Sequence, residues 1–562
     1  MRKIRPVFSP LFSLLLVVTL CAAASSTGDW FLRPVNASSQ QGTAGQISQF
    51  GVTWTFDRAY ETGQFANGDY WVVGPVTIVA ISPPSTESGG RTINGAMINP
   101  SPAAGAMQGY DSSMYGQYGP YFDAALNAAR PNNQDLSAAN PLTLLPGTSL
   151  VSTISLAEAG ARPQLQSAAV LTVLAAPAPA GSFRPPYSGS DKSIHYNTGQ
   201  LNGALLKSLP AVASTPSLAD VERYFERPWI DHVPGWLADY HHPSENLPNY
   251  GREIAAQVGA GALMLNLDLP DKHTLLIRYV QLGIDLYGIV QNGGEENWVP
   301  NGGHASGRKW PILFAGLVLG DENMQQIGPG DGSGSVYFGE DAQTFYISQA
   351  DVDRTHDPDL RGCHLEEYGP GDLGMAEWGI RHATDPESDN KAWCAVYRQC
   401  CTANAWSGFV LAARLMDAKE LWAHDALFDY QDRYMATEPH GEWTRCWDGF
   451  SEEMWDTYRA QAGQPGLRLW GTPGDRAIRL GWEVNNLTLP VTTTWTIRYE
   501  GTPGNEASPI TAIHQAARSY TLTGLSNHEW YTITLSTEPI LLSETIRIMP
   551  SDRLLYLPLA RR

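Results

Sequence analysis

Two spacings of apolar and polar residues divide the chain. The first is the two-residue alternation of half-buried strands, which covers Gln49–Thr55 and Tyr70–Ile81. Ser149–Ser155 and Ser167–Ala175 continue it. We therefore predict a β-rich N-terminal domain over residues 25–210, with a β-sandwich-like architecture.

The spacing becomes helical after Ser217, which is suited to cap the first helix. Long loops rich in Gly and Asp separate the helical segments, an arrangement typical of antiparallel helix pairs with loops at one end. Residues 211–462 are therefore predicted to form an α/α barrel (toroid), whose ring is allowed to be incomplete. The predicted helices are Leu218–Arg227, Tyr250–Leu267, His273–Gln291, Pro311–Leu319, Thr402–Met416 and Leu421–Tyr434.

Strand-like alternation returns in residues 463–548, with Trp482 expected to point inward. Leu525 is followed six residues later by Tyr531. This spacing resembles the corner-tyrosine signature of fibronectin type III domains. The resemblance implies a seven-stranded sandwich that acts as a spacer or docking module, followed by a short tail over residues 549–562.

The N-terminus has the pattern of a secretory signal. Arg2, Lys3 and Arg5 precede an apolar run, Leu11–Leu20, and a cleavage zone of small residues ends near Ala24. We predict a signal peptide over residues 1–24 and a secreted or cell-surface product. No later segment has the roughly 18 apolar residues that a membrane span needs.

The net charge of the chain limits the classes of molecule that it can bind. The formal net charge is −20, whereas nucleic-acid binding requires a basic surface. We therefore expect no nucleic-acid partner, and the oligomeric state is left open. Five cysteines remain after cleavage of the leader, so two disulfides and one thiol are the simplest account, with pairing undetermined. These are Cys363, Cys394, Cys400, Cys401 and Cys446.

No cofactor is predicted, because the chain carries no standard zinc, phosphate-loop or dinucleotide motif. A structural divalent metal held by His241, His364 and His382 with nearby carboxylates is kept as an alternative.

The candidate chemistry centres on the loop of residues 292–310, between two predicted helices. Its glycines free the backbone, and it carries Asn301, His304 and Arg308 together with Trp298 and Trp310. Residues 211–462 also hold 11 of the 18 Trp and 10 of the 13 His. Indoles stack on sugar rings and imidazoles titrate near neutral pH, which favours a carbohydrate-active enzyme with a polysaccharide substrate.

Asn301, His304 and Arg308 resemble, in residue type, the Asn/His/Tyr/Arg set of toroidal polysaccharide lyases, including alginate- and heparin-type enzymes. The resemblance implies β-elimination on a uronic-acid polymer, in which these groups bind and neutralise the sugar carboxylate. A Tyr or His must then act as the base. The tyrosine candidates are Tyr250, Tyr337, Tyr346 and Tyr397, of which Tyr250 and Tyr397 are preferred.

Two alternatives remain open. Glu366 and Glu367 could supply the paired carboxylates of a glycoside hydrolase on the same scaffold. The chain could instead be a non-catalytic glycan-binding surface protein. The residues expected to contact the glycan are Trp298, Trp310, Arg252, His241, His242, Trp378, Arg381, His382 and Arg398.

Overall fold

A computed structural model describes most of the chain after residue 40. The described residues are 41–114, 120–358, 367–379, 397–441, 444–463, 466–485, 493–501, 509–538 and 542–552. The predicted leader of residues 1–24 lies outside them, as does most of the predicted tail of residues 549–562.

The N-terminal strands form one mixed sheet with the order β10-β4-β2-β3-β12-β11-β7, and β1 pairs with β2. Neighbours are antiparallel except β3 and β12, which run parallel. The strands are β1 (Gly42–Gln49), β2 (Val52–Gln64), β3 (Tyr70–Val73), β4 (Val76–Ser82), β5 (Thr86–Ser88), β6 (Arg91–Ile93), β7 (Ala96–Ile98), β8 (Met107–Gln108), β9 (Tyr121–Phe122), β10 (Leu142–Leu144), β11 (Thr148–Ser155) and β12 (Leu165–Leu174).

The prediction of an N-terminal β-sandwich was wrong, because one eight-stranded sheet carries this region, and β5 with β6 and β8 with β9 form only two-stranded sheets beside it. One of its faces packs into a core that includes Trp54, Val72 and Leu171. Trp71 lies in a second buried cluster with Phe65. A strand pattern shows that a face is buried, but it does not show whether a second sheet or irregular chain covers that face.

Helices predominate after residue 217. Ser217 caps α1 as predicted, its hydroxyl accepting the Asp220 N–H at 3.1 Å, and α3 has both predicted ends. The elements are α1 (Leu218–Tyr224), α2 (Gly251–Leu265), α3 (His273–Gln291), α4 (Lys309–Leu319), α5 (Glu322–Gln325), β13 (Thr344–Tyr346), α6 (Gln349–His356), β14 (Ala376–Trp378), α7 (Tyr397–Cys401), α8 (Ser407–Leu415), α9 (Lys419–Trp422), α10 (Asp425–Thr437) and α11 (Gly449–Tyr458).

The predicted α/α barrel was also wrong. The described residues contain eleven α-helices, several of them a single turn long, and the β13–β14 hairpin interrupts their succession. The long helices pack in pairs, α3 with α4 and α2 with α8. Gly259 of α2 and Gly408 of α8 let that pair cross closely, since a Cβ on Gly259 would lie 2.9 Å from the Gly408 Cα.

A buried ion network joins α3 to the N-terminal sheet, which explains part of the departure from a ring. Arg184 donates to Asp285 of α3 at 2.6 Å and to Asp69, in the turn before β3, at 2.5 Å. Pro186 packs against Gly288 of the same helix. The N-terminal segment therefore covers a helix face that a toroid would have packed against another helix.

The C-terminal strands form two antiparallel sheets, β15-β16-β19 and β18-β17-β20-β21, around a core that contains Trp482 and Trp495. The hydroxyl of Tyr531 accepts the Ser526 N–H at 2.9 Å. The resemblance to fibronectin type III domains stays a prediction. The strands are β15 (Gly466–Gly474), β16 (Ala477–Asn485), β17 (Thr494–Glu500), β18 (Ile510–His514), β19 (Ser519–Thr523), β20 (Tyr531–Glu538) and β21 (Ser543–Ile548).

Among the helices that the structure describes, none has the length and hydropathy required of a membrane span.

Candidate functional site

The loop between α3 and α4 folds back against α7. A turn links Asn301 to His304, whose backbone N–H donates to the Asn301 carbonyl at 3.3 Å. Gly303 passes so close to α7 that a Cβ would lie 2.0 Å from the Cys401 carbonyl oxygen. Only glycine allows this approach. The turn thereby holds His304 beside the side chains that α7 presents.

His304 is fixed by a buried carboxylate. Its Nδ1 lies 2.8 Å from Asp239 Oδ2, and Arg162 Nη2 donates to the same oxygen at 2.7 Å. A carboxylate only accepts, so His304 Nδ1 must carry the proton and Nε2 is left as the basic nitrogen. The Asp239 side chain is 1% exposed, whereas His304 is 19% and Arg162 is 28% exposed. Solvent therefore reaches the imidazole and the guanidinium but not the carboxylate.

One phenol adjoins the imidazole, and a second is hydrogen-bonded to the first. The Tyr250 ring meets His304 edge-on, with centroids 4.7 Å apart, and the Tyr250 hydroxyl is hydrogen-bonded to the hydroxyl of Tyr397. Burial, together with the neighbouring Tyr397, raises the pKa of Tyr250 well above its ordinary value. Tyr250 is therefore a neutral phenol at physiological pH. Because a raised pKa makes it a weaker acid, it can give its proton only to a strongly basic oxygen. We call Arg162, Asp239, Tyr250, His304 and Tyr397 the His304 cluster.

Arg252 supports the phenol side of the cluster. Its guanidinium donates to the Cys400 carbonyl at 2.6 Å and to Glu253 at 2.9 Å. It also lies 5.2 Å from the centre of the Tyr250 ring and 3.9 Å from that of Trp447. These contacts lock α7 against the start of α2, which fixes the distance between the two phenols.

Aromatic rings line the arginine side. The 3-10 turn Gly235–Tyr240 supplies Asp239 together with Trp236 and Tyr240. The Arg162 guanidinium lies 6.0 Å from the Trp236 ring and 5.2 Å from the Tyr240 ring. The exposed part of the cluster is thus a cation held among ring faces, a surface that suits a charged sugar.

Several predicted contact residues are placed in the interior instead. Arg308 pairs with Asp231 at 2.8 Å, and the same carboxylate accepts from His242 at 3.0 Å and from Trp298 at 2.9 Å. All four side chains are buried. We call this group the Asp231 cluster. It joins the loop before α4 to residues 231–242.

Two other predicted contact residues are buried as well. His241 is fully buried beside His232, and Trp310 stacks on Trp422 with centroids 6.1 Å apart. Neither ring is exposed on the surface where His304 and Arg162 meet solvent.

The predicted acidic and basic residues around α7 fall into separate groups. Glu367 is exposed and pairs with His356 at 3.5 Å. Glu377 is buried and pairs with Arg433 at 3.0 Å, with Arg398 3.8 Å away. The other predicted residues of this region lie outside the described residues, namely Glu366, Arg381, His382, Cys363 and Cys394.

Trp378 lies beside the His304 cluster, whereas Tyr337 and Tyr346 contact other residues. Trp378 stacks on Tyr397, with centroids 6.4 Å apart, and so backs the His304 cluster. Tyr346 donates to Asp429 at 2.7 Å, and Tyr337 packs on Gly332. Of the four tyrosine candidates, the preferred Tyr250 meets His304, and the preferred Tyr397 is hydrogen-bonded to Tyr250.

The described cysteines include one disulfide, between Cys400 and Cys401 at the end of α7, and the buried thiol of Cys446. Within the described ranges, no three His, Cys, Asp or Glu side chains are grouped so that they could hold a metal ion. The predicted second disulfide would require residues outside those ranges.

Sequence reasoning missed Arg162 and Asp239. Arg162 lies between β11 and β12, far from the loop in sequence, and no local pattern marks it. Asp239 could have been noticed, because it sits between the aromatic residues Trp236 and Tyr240 and just before His241.

No protein-family model matches the chain, and a search of curated proteins finds no match. The geometry of the His304 cluster is therefore the basis for a proposed function.

Proposed function

We propose that the chain is a secreted polysaccharide lyase that cleaves a uronic-acid-containing polymer by β-elimination. One observation carries the proposal. An imidazole held by a buried carboxylate, Asp239–His304, meets a solvent-reachable guanidinium, Arg162, and a neutral phenol pair, Tyr250 and Tyr397.

Each step of the elimination has a group suited to it. Arg162 binds and neutralises the sugar carboxylate, which acidifies the adjacent C–H bond. Nε2 of His304 takes that proton as the C=C bond forms and the glycosidic C–O bond breaks. A phenol of the Tyr250–Tyr397 pair donates a proton to the departing oxygen. Asn301, at the start of the turn, is a further candidate for contact with the carboxylate.

The overall acidity of the chain does not oppose an anionic substrate at this point. Arg162, Arg252 and Arg398 lie in or beside the cluster. At physiological salt, charges farther away than about 8 Å are largely screened. Each of these guanidiniums also pairs with a carboxylate, so the solvent-exposed part of Arg162, rather than the net charge of the chain, decides which sugar is attracted.

A glycoside hydrolase is the alternative. That reaction needs two carboxylates that face one another across the substrate. Glu377 is engaged by Arg433, and Glu367 by His356. Asp239 is engaged by both His304 and Arg162. The described carboxylates near α7 are thus used in ion pairs, which favours elimination over hydrolysis.

The test compares the products of the wild-type chain on uronate polymers. Elimination leaves an unsaturated sugar that absorbs in the ultraviolet, whereas hydrolysis leaves only new reducing ends. His304→Asn should abolish the absorbing product while binding is retained. The matched control is His528→Asn, which alters an exposed His paired with Asp552 in the C-terminal sheets and should leave turnover unchanged. If the wild-type chain produced reducing ends without ultraviolet absorbance, or bound the polymers without any turnover, the proposal would be contradicted.

A further inference from the structure

An open cavity of about 550 Å³ lies between α1, α2 and the start of α11. That size falls within the range of ligand-binding clefts. Its lining is mostly apolar and partly aromatic, with two prolines near the rim. The principal lining residues are Pro216, Tyr224, Pro248, Gln257, Trp447 and Phe450.

One guanidinium connects this cavity to the His304 cluster. Arg252 contacts the ring of Trp447, which lines the cavity, and the ring of Tyr250, which belongs to the cluster. Glu253, the residue after Arg252, also lines the cavity. A polymer whose cleaved bond lies at Tyr250 therefore has the cavity within reach of a neighbouring sugar.

The polar groups of the cavity select against a carboxylate. Glu253 and Asp448 both line it, and no Lys, Arg or His is found among the described lining residues. The Arg252 guanidinium, which lies over the Trp447 ring, is already paired with Glu253. Two acceptor oxygens on α2, Glu253 Oε2 and Gln257 Oε1, are buried without a hydrogen-bond partner. A turn of either side chain toward the cavity offers its oxygen to a sugar hydroxyl or amine, whereas a carboxylate has no hydrogen to donate to it.

We propose that this cavity is a subsite for a sugar that carries no carboxylate, stacked on Trp447. The inference rests on the proposed function and sharpens it. The substrate is then a mixed polymer in which a uronate alternates with a neutral or amino sugar, rather than a polymer of uronates alone.

The test fills the cavity without touching the cluster. Ala260 lines the cavity farther along α2, so Ala260→Trp should block it. Ala219→Trp is the matched control, since Ala219 is an exposed residue of the neighbouring helix α1. Both variants are made in the His304→Asn background and titrated calorimetrically with two oligosaccharides of equal length, one uronate–hexosamine and one all-uronate.

Ala260→Trp should weaken binding of the uronate–hexosamine oligosaccharide about tenfold, and Ala219→Trp should not. Gln257→Met, which keeps the size of the side chain but removes an acceptor, should weaken the same binding by roughly threefold. An unchanged dissociation constant in both cavity variants would overturn the subsite, as would tighter binding of the all-uronate oligosaccharide. If the wild type forms no ultraviolet-absorbing product on either polymer, the proposed β-elimination is contradicted. The subsite is judged separately, by the dissociation constants of the inactive variants.

Discussion

The His304 cluster and the Asp231 cluster share the same three charged or titratable side-chain types, Asp, Arg and His. In the His304 cluster, Asp239 holds His304 and Arg162. In the Asp231 cluster, Asp231 holds His242 and Arg308. The carboxylates are equally buried, at 1% exposure, but the Arg side chains are 28% exposed in the first group and 1% in the second.

The difference shows that solvent access, not composition, decides which of the two clusters a ligand can reach. Burial alone would raise the pKa of Asp231, but the charge of Arg308 and the bond from His242 lower it well below its ordinary value. A fully desolvated charge pair of this kind is costly to break. The loop before α4 contributes to both groups, since His304 faces the open cluster and Arg308 the closed one.

The largest expected effect is on activity, from Asp239→Asn. An amide can donate to Nδ1, so it no longer fixes the tautomer in which Nε2 is basic. We expect turnover to fall by about 10²–10⁴-fold with a small change in thermal stability. Turnover is measured as the initial rate of increase in ultraviolet absorbance, and stability is measured by a thermal melting curve. Turnover close to wild type would show that His304 does not depend on Asp239.

Asp231→Asn should act on stability instead. The substitution leaves Arg308 charged and buried without its partner, which costs roughly 3–5 kcal/mol of unfolding free energy. Denaturant titration measures this loss of unfolding free energy. Asp239→Asn is the comparison and should lose less, because the partly exposed Arg162 can turn toward water when its partner is removed. Equal losses in the two variants would remove the distinction between the clusters.

Glu340 offers a pH-dependent test on the closed side of the loop. It accepts the Gly307 N–H at 3.0 Å, and burial, followed by the charge of Asp341, raises its pKa to about 7 against the opposing influence of Lys309. The folded chain therefore keeps a proton that the unfolded chain releases near pH 4.3. This contribution to stability is lost as the pH rises from that value to about 7.

Glu340→Gln removes this dependence, because the amide oxygen can still accept the Gly307 N–H. We expect the variant to gain up to about 3 kcal/mol at and above neutral pH and little below pH 4. Unfolding titrations at several pH values measure the gain. A gain of equal size at acidic pH would mean that protonation of Glu340 is not its cause.

The smallest effect is expected from Arg162→Lys. The charge remains, but lysine lacks the planar fork that spans the Asp239 carboxylate and a sugar carboxylate. KM should rise roughly fivefold to tenfold with little change in kcat or melting temperature. A large loss of kcat instead would show that the planar fork, and not only the retained positive charge, is needed to acidify the C–H bond.

The sequence predicted the elements of the central region better than their arrangement. Both ends of α3 and the Ser217 cap agree with the structure, because helix period and capping are local properties. The barrel was wrong because packing partners are not local. One face of α3 packs on α4, and another meets Arg184 and Pro186 of the N-terminal segment, where a ring would have placed a second helix.

The same limit applies to the candidate site. The loop of residues 292–310, His304 and the phenols Tyr250 and Tyr397 were singled out from residue type and position, and they meet in the structure. Arg308 was singled out on the same grounds but is buried against Asp231. Two residues four positions apart on a turn can face opposite ways, and sequence spacing does not show which one reaches solvent.

The sequence by itself determined where α3 ends before this loop, the glycines that let the loop approach α7, and the chemical groups available there. The helix after the loop begins at Lys309 rather than at the predicted Pro311. The tertiary structure alone decided that Arg162, carried between two strands of the N-terminal sheet, joins His304. It also decided that Asp239 is the carboxylate behind that imidazole. The physical reason is that backbone conformation responds to near neighbours in the chain, whereas the pairing and burial of charges are set by which distant segments pack together.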